Sequence, residues 1–182
     1  MLPPMRSFRF PSRLALFFAL LLVALVAACG RGGGDSGRIS APGEDQGELP
    51  QFRLAAIAGG TLGPADLKGK VVVYDFWATW CGPCHVQAEI LFALQPKLSS
   101  RGVEIVAVSL GEPEEVVREF LARKPYPFPV LTDPDDGLTA QLSIVGLPTL
   151  IVADREGNVV FRVTGIAGPD DIERAVERAG AA

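Results

Sequence analysis

The chain has 182 residues, of which 48% are hydrophobic and 21% charged, with a formal net charge of −4. This acidic balance gives no footing for nucleic-acid binding, which needs a basic surface. Three cysteines are too few for a disulfide scaffold, and the part of the chain beyond the N-terminal segment is long enough to bury a core without one.

Residues 1–28 read as a cleaved export signal. Arg6, Arg9 and Arg13 give a positive start, Leu14 to Ala28 is unbroken apolar sequence, and small residues stand at Ala27 and Ala28. The run is short for a transmembrane helix, which needs ~20 residues. Removing it leaves 14 basic and 21 acidic residues, a formal charge of −7. Residues 29–48 follow as a flexible linker, with seven glycines between Gly30 and Glu48 and almost no large apolar side chain. As a random coil this stretch spans about 24 Å. Residues 49–182 make one domain.

Within the domain, Phe52 to Ile57 and Gly59-Gly60 suggest a small N-terminal hairpin. Val71 to Trp77, V-V-V-Y-D-F-W, is a β-branched and aromatic run that predicts a buried central strand. Asp75 is the anomaly inside it. Next comes W-C-G-P-C-H, residues 80–85. Its Cys81-x-x-Cys84 spacing is that of a redox dithiol, and with His85 it also matches the attachment pattern of a c-type haem. Pro83 suits the first turn of a helix, and Val86, Ile90, Leu91, Leu94 and Leu98 carry the helical period to about Ser100. Pro96 is expected to kink that helix or end its regular part.

Val103 to Leu110 predicts a second buried strand. Glu114 to Arg123 predicts an amphipathic helix with Val116, Val117, Phe120 and Leu121 inward. Pro125, Pro127 and Pro129 interrupt the chain before a short strand at Val130-Leu131. A short helix over Asp136–Leu142 follows. Thr149–Ala153 and Val159–Val163 flank D-R-E-G-N, a hairpin signal. A helix over Asp170–Ala179 closes the domain. This order of elements makes one α/β domain with a mixed sheet.

D-F-W-A-T-W-C-G-P-C (75–84), G-L-P-T (146–149) and D-R-E-G-N-V-V (154–160) together resemble the thioredoxin superfamily. Within it they are most similar to the membrane-anchored TlpA/ResA-like thiol–disulfide oxidoreductases. The resemblance covers nearly all of residues 50–180. It implies a thioredoxin-like fold, a central mixed sheet flanked by helices with the added hairpin, and the dithiol at a helix N-terminus. It further implies that Leu147–Pro148 is a cis peptide facing the cysteines and docking the substrate. Val26-Ala27-Ala28-Cys29 likewise resembles the lipobox of bacterial lipoproteins, which implies that Cys29 carries a lipid. An unpaired cysteine in an exported protein needs such an account.

A disulfide exchange enzyme needs one accessible thiolate and one resolving thiol. Unpaired N–H groups at a helix N-terminus stabilise the thiolate and can lower a cysteine pKa from ~8.5 to ~7 or below. Cys81 is therefore expected to attack and Cys84 to resolve, with Trp80, Gly82, Pro83, Leu147 and Pro148 around the substrate. Gly82-Pro83 is the thioredoxin pairing, which implies a reductant, near about −270 mV in thioredoxin itself. Asp75 matches the buried acid of thioredoxin, where many TlpA/ResA-like proteins carry Asn. A carboxyl in an apolar strand has a raised pKa and can exchange protons near neutral pH, here with Cys84. Gln87 stands where ResA-like proteins tend to carry Glu, which removes that proton role.

The haem reading fails on ligands. A second axial Met or His is usual, yet Met1 and Met5 lie in the leader and His85 is the only histidine. His85 is instead expected on a solvent-facing helix surface. Zinc lacks a full ligand set. The alternative from another class is a copper-binding chaperone, since a cysteine pair can hold Cu(I), although chaperones of this fold carry C-x-x-x-C and a distant His. The expected protein is thus an exported, lipid-anchored monomer facing the periplasm or extracytoplasmic space. It uses no cofactor beyond a Cys81–Cys84 redox disulfide. It reduces disulfide-bearing extracytoplasmic proteins, for example in cytochrome c maturation, and is re-reduced by a transmembrane electron donor.

Overall fold

The computed structural model describes residues 47–181. The expected leader, Cys29 and the linker up to residue 46 lie outside the described residues. Gly47 and Glu48, assigned to the linker from composition, already touch the domain. Val159 donates its N–H to the Gly47 carbonyl, and Glu48 bridges Asn158. Among the described residues no helix is long and apolar enough to cross a membrane.

The strands are β1 (Leu54–Ala56), β2 (Thr61–Leu62), β3 (Val71–Trp77), β4 (Val103–Leu110), β5 (Val130–Asp133), β6 (Thr149–Ala153) and β7 (Val159–Thr164). The helices are α1 (Gly82–Ser100), α2 (Glu114–Arg123), α3 (Gly137–Gln141) and α4 (Pro169–Arg178). The strands form one sheet in the order β2-β1-β5-β4-β3-β6-β7. β3, β4 and β5 run parallel, and the other neighbours pair antiparallel. This is the mixed sheet that the order of elements predicts, with the β1–β2 hairpin added through β5.

β3 is buried at every position because both faces of the sheet are covered. Successive side chains alternate between faces. Val71, Val73 and Trp77 join Leu91, Leu94 and Leu98 of α1 and Ile172 and Val176 of α4 in one core. Val72, Tyr74 and Phe76 join Leu131, Leu138 and Ile151 in the other. A strand covered on both sides reads as a continuous apolar run rather than an alternation.

Two local expectations change and one holds. α1 runs to Ser100, as its period predicts, with Pro96 inside it. Pro96 lies on the exposed face, while Leu91, Leu94 and Leu98 keep the packing face. In α2, Val116 points outward, 44% exposed, and Val117 is the fully buried residue. Val117, Phe120 and Leu121, at i, i+3 and i+4, already make the stripe that packs on the core. β5 extends to Asp133, because Thr132 and Asp133 pair with Ser109 and Leu110 of β4.

Candidate active site

β3 delivers the chain to the carboxyl end of the sheet, where a turn closed by Cys81 N–H donating to the Ala78 carbonyl (3.1 Å) leads into α1. Cys81 is the N-cap of α1, and its sulfur accepts from the Cys84 N–H at 3.3 Å. The Cys84 N–H and the positive end of α1 thus face Cys81 Sγ, where they favour negative charge. Cys81 and Cys84 are joined by a disulfide, with their Cα atoms 5.3 Å apart. Cys81 retains 4% exposure and Cys84 has none. Gly82 and Pro83 are exposed beside them, and Trp80 stands 73% exposed at the rim.

β6 brings the second loop. Thr149 pairs with Phe76, so Pro148 falls beside Trp77 at the end of β3. The Leu147–Pro148 peptide is cis, as the resemblance implied. Thr149 Oγ1 donates to the Gly146 carbonyl and Gly165 N–H to the Pro148 carbonyl, both at 2.7 Å. Leu147 and Trp80 line one open groove of about 310 Å³ with Leu110, Gly111 and Ile144. Of the residues expected around the substrate, Trp80, Gly82 and Pro83 flank the dithiol in the chain, Leu147 shares a groove with Trp80, and Pro148 lies beside Trp77.

Asp75 is fully buried between Ala107 of β4 and Leu150 of β6. It shares the sheet face of Val73 and Trp77, the face turned to Cys84. Neither carboxylate oxygen has a hydrogen-bond partner, and burial pushes its pKa up to about 7. Three other buried side-chain atoms on this side of the sheet also lack partners, Trp77 Nε1, Gln87 Nε2 and Tyr126 Oη. The Tyr126 ring lies 5.0 Å from that of Trp77. Burial first, and then the charges of Asp75 and Glu89, hold the Tyr126 phenol well above its ordinary range. Tyr126 was not singled out in the sequence. Its signal is a polar-tipped aromatic set between two prolines.

His85 departs from its expected solvent-facing place. It is half-buried, with Nε2 3.0 Å from the Thr79 carbonyl and its ring stacked on Phe120 at 5.3 Å. Gln87 is fully buried, and its Oε1 accepts the Ala167 N–H at 2.7 Å, tying α1 to the β7–α4 loop. Glu89 lies elsewhere, in an ion pair with Lys124. Among the described residues no group of three or more His, Cys, Asp or Glu side chains is placed to hold a metal ion.

A family model described as Redoxin matches residues 44–178. The thiol-disulfide oxidoreductase ResA of Geobacillus kaustophilus (strain HTA426) is 36% identical over 128 residues, 70% of this chain and 74% of the relative. ResA of Bacillus subtilis (strain 168) is 37% identical over 118 residues, 65% of this chain and 66% of the relative. Among solved structures, a thiol:disulfide interchange protein of the thioredoxin family from Chlorobium tepidum TLS superposes with a TM-score of 0.64. It is 27% identical, over 78% of this chain and 99% of that one.

Proposed function

Given that the chain belongs to the Redoxin family and is a thiol–disulfide oxidoreductase of the ResA kind, we propose that it is exported and tethered to a membrane through a lipid on Cys29. Its work there is to reduce disulfides of extracytoplasmic proteins, as in cytochrome c maturation. The observation that carries the catalytic assignment is the unequal burial of the pair. Cys81 keeps a small exposure, while Cys84 has none and sits in the layer of an unpartnered Asp75.

In the reduced enzyme the Cys81 thiolate attacks a substrate disulfide. A Cys81–substrate S–S bond forms, the substrate S–S bond breaks, and the freed sulfur takes a proton from water. Cys84 then gives its proton to the Asp75 carboxylate and attacks Cys81 Sγ. The Cys81–Cys84 bond forms, the second substrate sulfur leaves and is protonated, and two electrons have passed to the substrate. Leu147 offers backbone to an extended substrate strand, and Trp80 covers the attacking sulfur. A transmembrane dithiol donor restores the pair by the same exchange in reverse.

Reduction of insulin disulfides by the domain supplied with electrons tests the reading. Cys81→Ser is expected to abolish it, and Cys84→Ser to accumulate mixed disulfides whose partners identify the substrates. Activity surviving Cys81→Ser removes the nucleophile assignment. Tight Cu(I) uptake without reductase activity replaces the reading with a copper chaperone.

A further inference from the structure

The turn that presents Cys81 is gripped by a carboxylate that the exchange reaction does not use. Glu112 stands in the β4–α2 turn and is only 5% exposed. The register sets Ser109 opposite Trp77, so this turn lies beside residues 78–79 where β3 ends. Glu112 Oε2 accepts the Thr79 N–H at 2.7 Å and Ser109 Oγ at 3.0 Å, and Oε1 accepts Thr79 Oγ1. His85 Nε2 meets the Thr79 carbonyl at 3.0 Å from the other side. Every polar group of Thr79 is engaged, two residues before the attacking cysteine. None of the ion pairs among the described residues involves Glu112. Gly111 takes φ +65° in the same turn, a conformation that favours glycine.

We propose that Glu112 is a positioning residue for the thiol exchange: it clamps Thr79, and so the Trp80–Cys81 arm, while its charge opposes ionisation of Cys81. Glu112 is buried and held on Thr79, two residues before Cys81, so its charge acts on the arm that carries the sulfur through an interior that screens less than water does. The helix N-terminus draws the Cys81 proton off and Glu112 works against it. The balance keeps the thiol less acidic, and the dithiol a better reductant, than the helix alone would make it. The inference rests on Cys81 being the attacking thiol.

Two variants separate charge from grip. In Glu112→Gln the amide oxygen in the place of Oε2 can still accept the Thr79 N–H and the Ser109 hydroxyl, and the Thr79 hydroxyl can turn to accept from the NH₂. The other titratable groups around the arm, His85, Asp75, Cys84 and Asp136, are unchanged. The pH dependence of iodoacetamide alkylation of the reduced protein, with the modified cysteine located by mass spectrometry, is expected to show the Cys81 pKa falling by about half to one unit. Glu112→Asp, which keeps the charge, is expected to hold the wild-type value. Thr79→Val breaks the hydroxyl grip and leaves the charge. It is expected to keep the Cys81 pKa and to slow attack on insulin several-fold at equal thiolate fraction. An unchanged or higher Cys81 pKa in a folded Glu112→Gln protein overturns the charge effect. A wild-type attack rate in Thr79→Val overturns the positioning, and is readable even if Glu112→Gln does not fold. Alkylation located on Cys84 instead would fault the nucleophile assignment, not the role of Glu112.

Discussion

Asp75 is the residue at which stability and turnover pull in opposite directions. Its pKa, about 7 against an ordinary 3.8, means that folding favours the protonated acid. The support that the protonated form lends to folding is complete below about pH 3.8, fades as pH rises, and is gone above about pH 7. Asp75→Asn removes the charged form, so the variant is expected to be more stable than wild type at pH 8, by on the order of 1 kcal/mol or more. The gain should shrink toward pH 5, and urea unfolding at the two pH values measures it. The same variant should leave attack by Cys81 largely intact and slow the resolving step on the order of 10²-fold. Stopped-flow thiol exchange from pH 6 to 9 checks this, and equal resolving rates for wild type and variant would exclude a proton role. Tyr126 and Trp77 bring polar atoms without partners into the same layer, so this layer is the least satisfied part of an otherwise apolar core. Buried polar groups of that kind carry a cost in folding, and their persistence beside a dithiol fits a site built for proton movement.

At the scale of the element, α1 serves both the core and the chemistry. Its first turn caps with Cys81, and its buried stripe of Cys84, Gln87, Ala88, Leu91, Leu94 and Leu98 holds it against the sheet. A fully buried leucine contributes roughly 1.5–3 kcal/mol relative to exposure, so the stripe outweighs the single irregularity at Pro96. A proline in a helix interior removes one hydrogen bond and costs ~3 kcal/mol relative to alanine. Pro96→Ala on this exposed face is therefore expected to stabilise the domain. The gain should be about 1–2 kcal/mol once the greater freedom of the unfolded chain is set against it. The midpoint of chemical unfolding should rise while reductase activity stays at wild type. Gln87 works from the opposite face. Removing its carbonyl, as in Gln87→Met, leaves the Ala167 N–H buried without its acceptor. That should cost roughly 1–3 kcal/mol, read in the same unfolding experiment, and loosen the loop that follows β7.

For the whole molecule, the proposal that bears on where it works is the lipid on Cys29. Cys29→Ser is expected to move the protein from the membrane fraction to the soluble fraction on cell fractionation. The insulin reductase rate of the domain should not change, because residue 29 lies well before the first described contacts at Gly47 and Glu48. A signal-processed Cys29→Ser protein that stays with the membrane would mean another anchor. Two or more acyl chains hold stably, whereas one holds only marginally, so the lipid on Cys29 would have to be multiply acylated to act alone.

What the sequence determined by itself is the set of features whose causes are local. Strand β3 follows from six residues of strand-forming or apolar character around one acid. The α1 stripe follows from the helical period, and the β6–β7 hairpin from D-R-E-G-N, whose Asp154 side chain accepts the N–H groups of Glu156 and Asn158. The dithiol is local as well, because a spacing of three brings two sulfurs together in one helical turn. Other features needed the tertiary structure, because their causes come from distant parts of the chain. Asp75 is wholly desolvated only because β4 and β6 lay Ala107 and Leu150 against it. Val116 faces outward because Val117, Phe120 and Leu121 already make the stripe of α2 that packs on the core. His85 is drawn from the expected solvent face by a carbonyl on one side and a ring on the other, Thr79 and Phe120. Glu112 looks in sequence like one more acid before a helix. It becomes the clamp of the Cys81 arm only because parallel pairing of β3 and β4 ends both strands at the same level, which sets its carboxylate against a residue 33 positions away.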